Sequence, residues 1–150
     1  MTGGPEELTV RHERTLPTPR HIVFSMFTDP DELARWWGPS GFSAPTVELD
    51  LRVGGRYRIE MQPPGGDTFW LTGEFREIDA PARLAFTFRW EDPDPDDREN
   101  VVAVSLRERG DATDVSVEQA PFATEARRQL HQQGWSESLD RLADVLAQRP

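Results

Sequence analysis

The stretch PFATEARRQLHQQGWSESLDRLADVLA, from Pro121 to Ala147, decides the fold. After Pro121 no proline occurs until Pro150, so one helix of several turns is permitted throughout. Trp135, Leu139, Leu142 and Leu146 follow one another at steps of four, three and four, which puts them on a single stripe of that helix. Ala126, Leu130 and Gly134 are expected to extend the apolar face toward the N-terminus, with Glu137, Asp140, Arg141 and Asp144 largely outside it. The helix starts near Ala123 or Thr124. Gly134 costs about 1 kcal/mol relative to alanine inside a helix. Either a neighbouring element approaches closely there, or the missing side chain opens room for a ligand beneath the helix. A long one-sided helix needs a platform on which to bury its stripe.

The rest of the chain supplies that platform as strands. Leu8 to Leu16 alternates, with Leu8, Val10, His12, Arg14 and Leu16 on one face. Two short helices follow: one with Thr18 as N-cap and Pro19 in its first turn, and one in DPDELARWW with Asp29 as cap and Glu32 completing a capping box. Gly38-Pro39 ends the second, leaving Trp36 and Trp37 in its last turn. Thr46 to Leu51 reads as a strand. Arg56 to Met61 alternates cleanly, with Tyr57, Ile59 and Met61 inward, and Thr68 to Ile78 contains Gly73, where a bulge or strong curvature is expected. Leu84, Phe86, Phe88 and Trp90 then face one way and Ala85, Thr87, Arg89 and Glu91 the other. Glu91 to Glu99 is an acidic, proline-containing loop without the glycine and oxygen spacing of a calcium site. Val102, Val104 and Leu106, then Val115, Val117 and Gln119, complete the inward rows.

This order predicts an α+β, helix-grip fold: a curved antiparallel sheet wrapped around a long C-terminal helix, with two short helices after the first strand. At 150 residues and 17.1 kDa the chain has the size of a single domain, with residues 1–7 frayed. A curved sheet cannot press on a helix along its whole length, which leaves space for a cavity between them.

Composition narrows the chemistry. With no cysteine there is no disulfide or thiol chemistry, and His12, His21 and His131 lack zinc spacing, so neither metal nor other cofactor is expected. Every basic residue is arginine, which removes Schiff-base mechanisms through lysine. A net charge of -10 disfavours nucleic acid. No apolar run spans a bilayer and the N-terminal segment is not a signal peptide, so a cytoplasmic protein is expected.

Thr28-Asp29-Pro30, Arg35-Trp36-Trp37-Gly38-Pro39, Gly54-Gly55-Arg56-Tyr57, Gly73-Glu74-Phe75, Pro81-Ala82-Arg83-Leu84-Ala85-Phe86-Thr87-Phe88 and Gly134-Trp135 with Leu139 and Leu142 occur in this order. Together they resemble the heat-shock-protein-90 ATPase activator homologue family of the START-related (SRPBCC) superfamily, over nearly the whole chain from Leu8 onward. The resemblance implies the same helix-grip fold and a ligand cavity, and no shared catalytic triad. Related sequences often carry a histidine near the end of the last strand, where this chain has Gln119.

The candidate ligand-binding residues are Trp36, Trp37, Tyr57, Ile59, Met61, Phe75, Phe86, Phe88, Trp90, Gln119, His131, Gly134 and Trp135. The large apolar side chains are what an apolar or aromatic small molecule would meet, and are equally what a plain core contains. Gln119 and His131 are the polar groups expected to orient it by hydrogen bonds. No catalytic residue is assigned, because no carboxylate stands in sequence to tune His131. A cyclase-type enzyme would need a buried ionisable pair, and a co-chaperone-like module binding a chaperone partner would need an exposed apolar patch. A homodimer is left open, since related domains commonly pair.

Overall fold

The computed structural model describes residues 7–148. Its strands are β1 (Val10–Leu16), β2 (Val47–Leu49), β3 (Arg56–Met61), β4 (Phe69–Asp79), β5 (Arg83–Trp90), β6 (Asn100–Arg109) and β7 (Ala112–Ala120). The helices are α1 (Arg20–Thr28), α2 (Pro30–Ala34) and α3 (Glu125–Ala147). All strand pairs are antiparallel, in the order β1-β7-β6-β5-β4-β3-β2. Strands β2 to β7 form a meander, and β1 closes the far edge against β7. The α+β helix-grip fold expected from the sequence is the fold observed.

The strand periodicities carry through to burial. Tyr57, Ile59 and Met61 are buried on β3; Val102, Val104 and Leu106 on β6; Val115, Val117 and Gln119 on β7. All of these but the polar Gln119 share one core cluster with Trp135, Leu139, Leu142 and Leu146 of α3. Polar contacts seat α3 against β1: His12 Nε2 lies 2.8 Å from the Gln132 carbonyl, and Arg14 donates to Asp140 at 2.6 Å and to the Ser136 carbonyl at 3.1 Å. The C-terminal half of the helix therefore sits down on the sheet, as its leucine spacing dictates.

Several local expectations change. Thr18 does not cap α1; Pro19 is the N-cap, no side chain caps the helix, and the Thr18 carbonyl accepts from Thr113 Oγ1 at 2.7 Å. Asp29 caps α2 by accepting from the Asp31 and Glu32 amides, but its own amide donates to the Ser25 carbonyl and Glu32 pairs with Arg35, so the reciprocal half of the capping box is missing. Helix α2 stops at Ala34, and Trp36 and Trp37 lie in the turn beyond it. The strand expected over 46–51 shrinks to Val47–Leu49.

The β4 bulge lies between Phe75 and Glu77 and not at Gly73. Gly73 serves close approach instead: a Cβ there would lie 2.0 Å from the Thr87 carbonyl oxygen and 2.4 Å from Tyr57 Cε1. The Tyr57 ring thus rests on bare backbone, and its hydroxyl donates to the Thr87 carbonyl at 2.5 Å. Burial, reinforced by Glu99, raises the Tyr57 pKa well above its ordinary value. On β5, Ala85 and Thr87 are buried as well as Leu84, Phe86 and Phe88, while Trp90 is half-buried, and Thr87 Oγ1 accepts from the Glu74 amide at 2.8 Å.

The N-terminal half of α3 departs furthest. Thr124 is the N-cap, accepting from the Arg127 amide. Ala126 and Leu130 are exposed, and Gly134 is half-buried. The side chains turned inward here are Arg127, which pairs with Asp94, Asp96 and Asp97 of the acidic loop, and His131. Among the described residues no helix is long and apolar enough to cross a membrane.

Candidate functional site

Where α3 rises from the sheet it leaves a recess of about 360 Å³. One wall is helical: Leu130, Gly134 and Glu137 fall on one stripe, with His131, Trp135 and Ser138 beside it. The floor is the end of the sheet, with Met61 from β3, Phe69 from β4, and Phe88 and Trp90 from β5. The third side is the turn after α2, which contributes Trp37, Gly38, Pro39 and Phe42.

That turn is held to the helix by Arg141, one helical repeat beyond Gly134. Its Nη1 donates to the carbonyls of Trp37, Gly38 and Pro39 at 3.2, 2.9 and 3.2 Å. Gly38 adopts φ +104°, a left-handed conformation that favours glycine and lets these carbonyls converge on one guanidinium. Glu137 adds a second tie, accepting from the Ser40 amide at 2.9 Å.

Aromatic side chains dominate the interior. Trp37 meets Trp135 edge to face at 5.4 Å, Phe69 meets Trp90 at 5.2 Å, and Phe88 meets Trp90 at 5.1 Å. Trp135 is oriented from beneath: its Nε1 donates to Gln119 Oε1 at 2.8 Å, and Gln119 Nε2 donates to Asn100 Oδ1 at 2.8 Å. Gln119 is fully buried, and both ends of its amide are engaged in fixing the Trp135 ring. The sequence showed no partner for it because Asn100 and Trp135 come from distant parts of the chain.

His131 lies among Phe88, Trp90 and Phe122, with ring centroids 5.5, 6.1 and 4.9 Å away. Burial among these rings, with a smaller effect from the Arg127 charge, lowers its pKa to about 4. The imidazole is therefore neutral at neutral pH. It makes no hydrogen bond to the described residues, which leaves its ring nitrogens unsatisfied by protein.

Of the residues singled out in the sequence, Trp37, Met61, Phe88, Trp90, His131, Gly134 and Trp135 come together around the recess. Trp36 does not; it is completely buried, packs on Phe27 at 4.8 Å, and donates to the Met26 carbonyl at 2.9 Å. Tyr57, Ile59, Phe75 and Phe86 surround a separate gap of about 20 Å³, which has room for no more than a water molecule. Gly134 is not forced by a close neighbour, since a Cβ there would meet only Pro39 Cγ, at 3.8 Å. Sequence reasoning missed Gly38, Pro39, Phe42, Phe69, Leu130, Gln133, Glu137 and Ser138 as lining residues, and Arg141 as the clamp. Glu137 and Arg141 share the stripe of Leu130 and Gly134, and that spacing was the available signal.

A curved antiparallel sheet gripping one long helix defines a START-related (SRPBCC) helix-grip domain. Within that class the chain belongs to the Activator of Hsp90 ATPase homolog 1-like family, whose profile matches residues 17–147. It is similar to the crystal structure of protein CV1439 from Chromobacterium violaceum, with 29% identity, TM-score 0.84, and coverage of 91% of this chain and 95% of that one. It is also similar to protein NE0264 from Nitrosomonas europaea, with 26% identity, TM-score 0.81, and coverage of 96% and 97%. The AHSA1 protein from Silicibacter pomeroyi gives 26% identity, TM-score 0.79, and coverage of 93% and 97%. Among functionally curated proteins none matches the chain significantly.

Proposed function

We propose that the protein binds a largely apolar, aromatic-sized small molecule in the recess beneath the N-terminal half of α3. The observation that carries this reading is Gly134. A helix interior accepts a glycine at a cost of about 1 kcal/mol, yet no neighbour needs the space, and the residue borders a recess of about 360 Å³. That volume falls within the range of small-molecule sites, which are concave and mostly apolar with a few polar groups. The polar groups here are His131, Gln133, Glu137 and Ser138.

Binding is favoured over acid–base catalysis by the state of His131. A general base works best with a pKa near the operating pH, whereas this imidazole is pushed down to about 4. Its neutral ring can accept or donate one hydrogen bond to a ligand, which is an orienting role. Titration with a neutral naphthyl alcohol, followed by calorimetry and by native mass spectrometry, tests the reading. One molecule should bind per chain and quench the emission of the tryptophans that line the recess. Absence of binding by both methods refutes it.

A further inference from the structure

We propose that the recess selects apolar ligands bearing a protonated amine and discriminates against apolar carboxylates, with Glu137 as the residue that sets this preference. The inference rests on the small-molecule reading above and adds the charge of the ligand to it.

The side chains around the recess carry a single formal charge at neutral pH, the Glu137 carboxylate. Its contacts are with neutral groups: Oε1 accepts from the Ser40 amide at 2.9 Å and Oε2 from Gln133 Nε2 at 3.0 Å. It forms no ion pair with any described residue. A carboxylate has about four lone-pair sites, so two hydrogen bonds leave acceptor capacity free. Glu137 is half-buried, and its charge is accordingly less screened than on an open surface.

Nothing cationic answers it inside the recess. His131 is neutral, as shown by its lowered pKa. Arg127 is committed to Asp94, Asp96 and Asp97. Arg141, four residues beyond Glu137 on the same stripe, weakens the field of Glu137, but its Nη1 is engaged by the carbonyls of Trp37, Gly38 and Pro39 and the side chain does not line the recess. The remaining walls offer aromatic rings, whose faces attract a cation and repel an anion. Trp37, Phe69, Phe88, Trp90 and Trp135 supply them. The whole chain, at -10, adds a long-range field of the same sign. An ammonium group on an aryl or alkyl body thus meets a carboxylate and ring faces, whereas a carboxylate on the same body meets no donor of opposite charge.

Calorimetric titration at low salt with three matched probes tests this: naphthylmethylammonium, naphthylmethanol and naphthylacetate. The parent should bind the ammonium about tenfold more tightly than the alcohol, and the acetate more weakly than either. In Glu137→Gln, which keeps the acceptor for the Ser40 amide, the ratio of ammonium to alcohol affinity should fall several-fold, to the part that the ring faces and the net charge supply. Ratios are taken within each protein, so a general loss of affinity cancels. Raising the salt should shrink the parent's ratio more than the variant's. Binding of the alcohol with equal or better binding of the acetate, or a ratio unmoved by Glu137→Gln, overturns the charge preference and leaves the small-molecule reading standing. If none of the three probes binds, both fall together.

Discussion

Substitution at Gly134 separates a site that is open from a core that is packed. In Gly134→Ala the helix gains about 1 kcal/mol of propensity. The new methyl meets only Pro39 Cγ at 3.8 Å, an ordinary van der Waals distance, so no steric cost offsets that gain. We therefore expect Gly134→Ala to be more stable than the parent by about 0.5–1 kcal/mol, which for a chain of this size raises Tm by roughly 1–4 °C. Gly134→Leu has nearly the same propensity as alanine, and its longer side chain has the recess to occupy. It should retain at least parental stability while losing the naphthyl alcohol. Urea unfolding followed by tryptophan emission reports the first quantity, with an unchanged m-value confirming that the same surface is exposed. If the helix instead packs down in solution and no recess exists, Gly134→Leu overfills a core and loses about 1–3 kcal/mol. Destabilisation of both variants by that amount would refute the argument.

Other expectations concern the helix face and the buried imidazole. Leu142 is fully buried, so Leu142→Ala should cost about 2–5 kcal/mol by denaturant unfolding; a loss below about 0.5 kcal/mol, typical of surface sites, would mean the face is misassigned. His131 has a pKa of about 4 in the fold against 6.5 for the ordinary imidazole, so between these values the unfolded chain binds more protons and stability rises with pH. The protein should be unaffected by this group above about pH 6.5 and lose up to about 3 kcal/mol through it as the pH falls to about 4. His131→Phe should flatten that part of the stability profile, and parallel profiles for parent and variant across this window would contradict the burial argument. Glu91, Asp96, Asp114 and Glu125, whose pKa values their arginine and hydroxyl partners hold below the ordinary range, contribute a further loss at lower pH that both proteins share.

The parts of the structure legible in the sequence are those in which each residue answers to its nearest chain neighbours. Tyr57, Ile59 and Met61 alternate because a strand alternates, and Leu139, Leu142 and Leu146 recur because a helix turns. What escaped are contacts between residues with no sequence relation. Gly73 looked like a bulge because glycine weakens a strand, yet its reason is the Tyr57 ring lying across it from β3. Thr18 looked like a cap for α1, but its carbonyl is bound by Thr113, 95 residues away. Gln119 looked free to touch a ligand, whereas Trp135 and Asn100 use both ends of its amide. The aromatic floor of the recess was partly visible, through Phe88 and Trp90. Its far side was not, because nothing in the spacing of Gly38, Pro39 and Phe42 says that Arg141 will draw them toward the helix.

Leu130, expected to extend the buried face of α3, is 59% exposed, because at about 3.6 residues per turn it falls on nearly the opposite side of the helix from Trp135, Leu139, Leu142 and Leu146. The buried stripe continues toward the N-terminus through His131, which packs against Phe88, Trp90 and Phe122, and α3 is tied to β1 from Gln132 onward. The face that carries Leu130, Gly134 and Glu137 is a wall of the recess and not a core. Residues there answer to a different requirement: Leu130 remains apolar but accessible, Gly134 withholds a side chain, and Glu137 can keep a charge that a packed interior would penalise. The seated stripe and the wall of the recess thus lie largely on different faces of one helix. Substitutions at Leu139, Leu142 or Leu146 act on stability because they lie over the sheet. If the proposed binding holds, substitutions at Leu130, Gly134 or Glu137 should change what the recess admits while the seated face keeps the helix in place. Arg141 lies on the same face as Gly134 and Glu137, and its guanidinium ties the turn of Trp37, Gly38 and Pro39 to the helix.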